Sequence, residues 1–275
     1  MNSLNLHQAF WLVGCGNMAG AMLDGWLDAG MDPSPMTVVR PSGRPAAEGV
    51  RVVATLPESE VPAIVMLGVK PQKLGEVAPS LAPRLGPDTL LISLLAGVRA
   101  ETLRALFPTP RTIVRAMPNL PVRLRQGVTG LYADGGEATA KRIAEGLMQA
   151  LGLAVWLEDE DLLDVLTVIG ASGPAFFYRF IDAMARGGEA QGLSADEALR
   201  IAMATAKGAA ALAAASRDNP AILADKVASP GGSTRAGLDI LDGEGALVKL
   251  VGRTVEAALR RNREMAAEAR AVSDG

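Results

Sequence analysis

One histidine, His7, and one cysteine, Cys15, occur among 275 residues. Each scarcity removes a class of chemistry. A single thiol forms neither an intramolecular disulfide nor a cysteine metal cluster, and zinc finds no set of ligands, so no metal is expected. Ser-His-Asp and Cys-His catalysis would have to draw their base from the N-terminal tail, where the imidazole lies. Aromatic residues are sparse at 4%, while 49% are apolar and rich in alanine, leucine and valine. That balance favours helix-rich packing over a β-sandwich. The net charge of −3 and pI near 5.4 give no general attraction to nucleic acid or to an anionic membrane. "MNSLNLHQAFWLVG" lacks the basic region and cleavage site of a signal peptide. No apolar run approaches the roughly 20 residues that a membrane span requires. A cytoplasmic protein without membrane or nucleic-acid partners is the expectation.

The chain has two textures. Up to residue 157, short β-rich runs alternate with helical ones: "AFWLVG", "MTVVR", "AIVMLGV", "TLLISLLAGV", "RTIVRAMPN", "GVTGLYA" and "LAVWL" read as strands. Near-continuous apolar strands alternating with helices predict an α/β domain over 1–157, with a mostly parallel sheet covered on both faces. From about Glu158 the strand candidates stop, and 158–275 reads as all-helical. Ser194 and Glu197 have the spacing of a capping box. Phe177, Ile181 and Met184 share one helical face, widened by Phe176 and Phe180. Such a stripe suits an ordinary core, or a subunit interface if the helices expose more apolar surface than one core can bury.

The first strand runs into "GCGNMA", which sets Gly14, Gly16 and Ala19 in a G-x-G-x-x-A pattern at the start of a helix. Glycines there allow a tight turn and a close approach to a pyrophosphate held on the helix N-terminus. Cys15 occupies a spacer position. A site for NAD(H) usually ends the second strand on an acid that holds the ribose hydroxyls. This strand ends instead on Arg40, followed by Ser42 and Arg44, a set suited to a 2′-phosphate. NADP(H) is therefore expected over NAD(H). Two more loops follow strands on the same predicted edge. They are "GVKPQ" and "RAMPNLPV", the latter with Asn119 between two prolines.

Further on, "SPGGST" (Ser229 to Thr234) separates two helical stretches. Amides of a Gly-Gly turn entering a helix form an anion site without a basic side chain. On chemistry alone, Thr234 is equally an ordinary helix cap.

"GCGNMAGAML", "LGVKPQ", "ISLLAGV", "VRAMPNLP", "SGPAFFYRFIDAMARGGEAQGLSADEAL" and "KVASPGGSTRAGLDILD" occur in this order, and together the chain resembles the pyrroline-5-carboxylate reductase family over nearly its whole length. The resemblance implies a Rossmann-type domain followed by an all-α domain that binds substrate and interlocks with a second subunit, often in a decamer. It implies hydride transfer from NAD(P)H to the C=N bond of 1-pyrroline-5-carboxylate, a cyclic imine acid, giving L-proline in the last step of proline biosynthesis. It sets Gly14, Gly16, Asn17 and Met18 against the cofactor phosphates and Arg40 and Ser42 at the adenosine ribose phosphate. Lys70 and Pro71 would border the cleft, and Asn119 would lie near the nicotinamide. Ser229, Gly231, Gly232, Ser233 and Thr234 would surround the substrate, with Thr234 as the catalytic hydroxyl on the ring nitrogen. The active site would then form between the domains, and a partner subunit would complete it.

The chain departs from the family where "SGSGPA" is usual, with Gly170 and Ala171 replacing a serine and a glycine. A six-membered imine stays open, because one methylene is worth only roughly 1–3 kcal/mol. Lys207 in "ATAKGAAA" matches the catalytic lysine of β-hydroxyacid dehydrogenases only superficially. A non-enzymatic NADP(H)-binding protein would have no use for the distant Gly-Gly turn.

Overall fold

The computed structural model describes residues 8–58 and 60–273; His7 lies outside them. Two compact units are present, one of residues 1–171 with 259–275 and one of residues 172–258. The first extends past the change of texture at 157.

In the first unit, β1 (Phe10–Val13), β2 (Met36–Val39), β3 (Arg51–Val53), β4 (Ile64–Leu67), β5 (Leu90–Ser93), β6 (Thr112–Pro118), β7 (Gly127–Asp134) and β8 (Gly152–Trp156) form one sheet. Its order is β3-β2-β1-β4-β5-β6-β7-β8. Strands β1 to β6 pair in parallel, β7 is antiparallel to β6, and β8 is parallel to β7. The seven runs read from sequence are all strands. The eighth strand, β3, has only three residues and a half-exposed pattern that gives no periodic signal.

Helices α1 (Asn17–Asp28), α2 (Leu74–Leu81), α3 (Ala100–Leu106) and α4 (Ala138–Gln149) cover the sheet. Alternation along the strands divides the core in two. Phe10, Leu12, Met66 and Val114 face Met22 and Trp26 of α1 and Leu147 of α4. Trp11, Val13, Leu67 and Ile113 face Leu81 of α2 and Leu103 of α3. With both faces buried, a strand gains from apolar residues at every position, which explains the continuous runs. The Trp26 indole donates to Leu147 O at 2.7 Å, satisfying its one polar group and joining α1 to α4.

After β8, Glu160 leads into α5 (Leu162–Leu166) and a π-helical turn, Thr167–Ser172. Gly130 lets α5 lie on β7, since a Cβ there would stand 2.8 Å from Leu166 Cδ2. The contact of α5 with β7 carries the first unit beyond residue 157. Arg115 and Glu160, both nearly buried, form an ion pair of 2.7 Å beneath this connector, and Glu160 also accepts from the Ala100 amide at the start of α3.

The second unit contains α6 (Gly173–Ala190), α7 (Ala195–Ala215), α8 (Pro220–Val227), α9 (Ser233–Asp242) and the first part of α10 (Ala246–Ser273). Helix α7 opens on the expected capping box: Ser194 Oγ accepts from the Glu197 amide and Glu197 accepts from the Ser194 amide, both at 3.3 Å. The buried cluster of this unit is Ala185 of α6 with Ala198 and Ala202 of α7, and Ile181 of α6 packs against it. Of the stripe, Ile181 joins this core, whereas Phe177, Phe180 and Met184 are open among the described residues. Phe177 and Tyr178 are each 67% exposed, and Phe180, Met184, Ile240 and Val248 are also open. Alanines bring α6 and α7 close, and among the described residues the larger side chains of this face stay uncovered.

Helix α7 bears on the expectation about apolar runs without overturning it, since Arg200 and Lys207 interrupt its apolar residues. Among the described residues, Ala195–Ala215 is long and apolar enough by length and composition to cross a membrane. The signal arises from its run of alanines, two of which, Ala198 and Ala202, are buried in the helical unit.

Candidate active site

The order of β1 to β6 reverses between β1 and β4, and their carboxyl ends form the crevice where open α/β sheets hold ligands. Gly14 ends β1 with φ +85°. A Cβ on it would lie 2.7 Å from the Val69 amide nitrogen, so glycine is required by the approach of the loop after β4. Gly16 differs. It is the extended N-cap of α1, and a Cβ on it would meet nothing within 4 Å. The chain's own packing gives no reason for glycine there, whereas an approaching phosphate does.

No side chain caps α1, its first turn holds no acid, and its first backbone bond is Gly20 N to Gly16 O at 2.8 Å. The amides of Asn17, Met18 and Ala19 thus precede the helical ladder, in the field of its positive end. These residues fit a dinucleotide pyrophosphate. Lys70, exposed and extended, leaves β4 beside this loop, and Pro71 starts the 3₁₀ turn leading to α2.

At the end of β2, the Arg40 amide bonds Val53 O, and Gly43 N closes a turn on Arg40 O at 3.1 Å, with Pro41 leading it. The Arg40 guanidinium folds over this loop: Nε donates to Arg44 O at 2.8 Å, and Nη2 donates to the carbonyls of Arg44 and Pro45. Ser42 is exposed. Burial pushes the Cys15 thiol above its ordinary pKa, opposed by the positive charge of Arg40 close by. Cys15 is thus a poor nucleophile at neutral pH, in keeping with its spacer position.

Asn119, at the carboxyl end of β6, is 5% exposed. Its Nδ2 donates to Gly170 O at 2.7 Å and its Oδ1 accepts from Val128 N at 2.8 Å. It joins β6, β7 and the π-helical turn, a structural role that the sequence could not show because both partners are distant. The departure at Gly170 is sterically mild: a Cβ there would lie 3.6 Å from Val128 Cγ1, an ordinary contact. Pro174 stands in the first turn of α6 as expected.

In the helical unit, Ser229 to Gly232 form a turn closed by Gly232 N on Ser229 O at 2.9 Å. Pro230 leads it and Gly231 takes φ +72°, the arrangement of a type II turn. Gly232 is then the extended N-cap of α9. Its amide closes the turn, so it shapes the loop. The amides that precede the first helical bond, Ala236 N to Gly232 O, are those of Ser233, Thr234 and Arg235. No side chain caps α9, whereas Asn219 caps α8 by accepting from Ile222 N at 2.9 Å. Ser229, Gly231, Ser233 and Thr234 are exposed. Arg235 pairs with Asp225 of α8 at 2.7 Å, bracing the two helices that flank the turn.

Comparison with known proteins gives one consistent result. Residues 160–265 match the family described as Pyrroline-5-carboxylate reductase dimerisation, and residues 10–97 match that described as NADP oxidoreductase coenzyme F420-dependent. The chain is 37% identical to a pyrroline-5-carboxylate reductase of Pseudomonas aeruginosa, over 92% of this chain and 95% of that one. It is 35% identical to one of Pisum sativum, over 92% and 94%. Among solved structures, a pyrroline-5-carboxylate reductase from Coxiella burnetii superposes with a TM-score of 0.86 at 29% identity, covering 94% of this chain and 98% of that one. The NADP-bound pyrroline carboxylate reductase of Plasmodium falciparum gives 0.79 at 25% identity, covering 95% and 99%.

Proposed function

The chain belongs to the pyrroline-5-carboxylate reductase family, and from its residues we propose how it performs that reduction. It is an NAD(P)H-dependent oxidoreductase of proline biosynthesis that converts 1-pyrroline-5-carboxylate into L-proline. The observation that carries the substrate reading is the uncapped N-terminus of α9 at a Pro-Gly-Gly turn.

The substrate presents a carboxylate and a C=N bond in one small ring. The amides of Ser233, Thr234 and Arg235 receive the carboxylate, aided by the helix dipole. Ser229, Gly231 and Gly232 give the turn its shape around it. The imine takes its proton from water near neutral pH, which makes its carbon electrophilic without a histidine. The Thr234 hydroxyl oxygen then accepts from the protonated ring nitrogen and fixes the ring's orientation. A reduced nicotinamide bound at the Rossmann edge would supply the hydride. The protein's contribution is orientation and exclusion of water.

On the cofactor side, Gly14 and Gly16 shape the loop, and the Asn17 and Met18 amides take the pyrophosphate. Lys70 and Pro71 border the cleft. Asn119 acts near the nicotinamide by fixing the end of β6. The turn containing Arg40 and Ser42, with no acid at the end of β2, supports a preference for NADP(H) over NAD(H).

The exposed apolar faces of α6, α7, α9 and α10 support a homodimer in which a second copy covers them. Assembly of such dimers into a decamer belongs to the same proposal, as does a cytoplasmic setting for a protein with one unpaired thiol. Incubation with NADPH and 1-pyrroline-5-carboxylate, followed by chromatography, tests the reading: L-proline is expected, and unchanged substrate would overturn it.

A further inference from the structure

The loop after β2 contains two arginines with different surroundings. Arg40 is anchored at both ends. Its amide bonds Val53 O, and its Nε and Nη2, the edge with which a guanidinium usually grips a phosphate side-on, donate to the carbonyls of Arg44 and Pro45. Arg44 is exposed, and its guanidinium has no hydrogen-bond or ion-pair partner among the described residues. Its backbone is nonetheless fixed. Its carbonyl is the one that Arg40 holds, and it directly follows Gly43, which takes φ +59° to reverse the chain.

A long cationic side chain without a partner usually marks only a solvated surface. Here it stands on a loop whose carbonyls a second arginine bridges, at the strand end where a dinucleotide-binding chain of the other cofactor class carries an acid.

Resting on the NADP(H) reading above, we propose a division of labour: Arg44 makes the direct contact with the 2′-phosphate, and Arg40 is the positioning residue that folds the loop presenting it. Arg40 adds charge, but its side-on donors are already in use. The two positions should therefore respond differently to the same substitution. Lysine retains a charge but has no planar fork, so it can replace a phosphate contact in part and cannot span two carbonyls.

The test is titration of the holo-competent full chain with two fragments, 2′,5′-ADP and 5′-ADP, by calorimetry, with no turnover involved. The wild type should bind 2′,5′-ADP the more tightly. Arg44→Ala should lower affinity for 2′,5′-ADP by about tenfold to a hundredfold, the range of a charged hydrogen-bonded contact. Its affinity for 5′-ADP should not change, and Arg44→Lys should restore part of the loss. Arg40→Lys should behave like Arg40→Ala, weakening both fragments and increasing proteolytic cutting between residues 40 and 45. Equal binding of both fragments by the wild type would overturn the NADP(H) reading itself. Discrimination that survives Arg44→Ala, or that Arg40→Lys leaves intact while Arg40→Ala abolishes it, would overturn the division of labour alone.

Discussion

Gly68 and Gly14 meet backbone to backbone: a Cβ on Gly68 would lie 2.6 Å from Gly14 O, and one on Gly14 would lie 2.8 Å from the Gly68 carbonyl carbon. The ends of β1 and β4 are joined there, on the rim of the cofactor crevice. Gly16, two residues on, has open space where its Cβ would be. The glycines of this region therefore serve different ends. Gly68→Ala should overpack backbone against backbone and cost about 1–3 kcal/mol, seen as a lower melting temperature of the cofactor-free protein. Gly16→Ala should leave that temperature nearly unchanged and weaken NADPH binding. A fall in stability for Gly16→Ala equal to that for Gly68→Ala would contradict the assignment.

Glu160 holds together several separate stretches. It pairs with buried Arg115, contacts Arg99 at 3.1 Å and caps α3 through the Ala100 amide. Glu160→Ala would leave a guanidinium buried without its partner, at a cost of about 3–5 kcal/mol. Urea unfolding should show a lower midpoint. A midpoint within experimental error of the wild type would mean that water replaces the carboxylate.

Phe177 is 67% exposed and Ile240 78%. In the proposed dimer these side chains would be covered, and an acid placed among them would have to be desolvated on association. Phe177→Asp should shift the chain toward the monomer in light scattering while far-ultraviolet circular dichroism stays helical. An unchanged dimer mass would remove Phe177 from the interface.

The Cys15 thiol is pushed above the ordinary thiol range chiefly by burial, so the reactive thiolate is scarce at neutral pH. Alkylation by iodoacetamide should be slower than that of a free thiol at pH 7 and should accelerate only at more alkaline pH. Rapid labelling near pH 7 would contradict the burial.

Much of this was legible in the sequence, for identifiable reasons. The doubly covered sheet showed itself because burial on both faces demands continuous apolar strands. The Gly16 and Gly231 turns showed themselves because their chemistry is local. β3 was not legible, because three residues with an exposed arginine at their head carry no period. Nor was the fate of the Phe177 face, since helical spacing reports that a face is apolar and not which chain covers it. Two polar roles also required the fold. Asn119 meets Gly170 and Val128, and Arg40 bends back on Arg44 and Pro45, contacts that residue type alone does not specify.

The central claim is that the turn entering α9 holds the substrate and that the Thr234 hydroxyl orients its ring nitrogen. Loss of NADPH absorbance should be followed with 1-pyrroline-5-carboxylate for the wild type and Thr234→Ala, with the six-membered imine acid as a comparison. The account predicts rapid turnover of the five-membered substrate by the wild type. Thr234→Ala should lower kcat about tenfold or more, the share of one hydrogen bond to a charged group, with NADPH affinity unchanged. Equal kcat for the two proteins would contradict the claim and leave Thr234 as a residue of the first turn of α9 and nothing more.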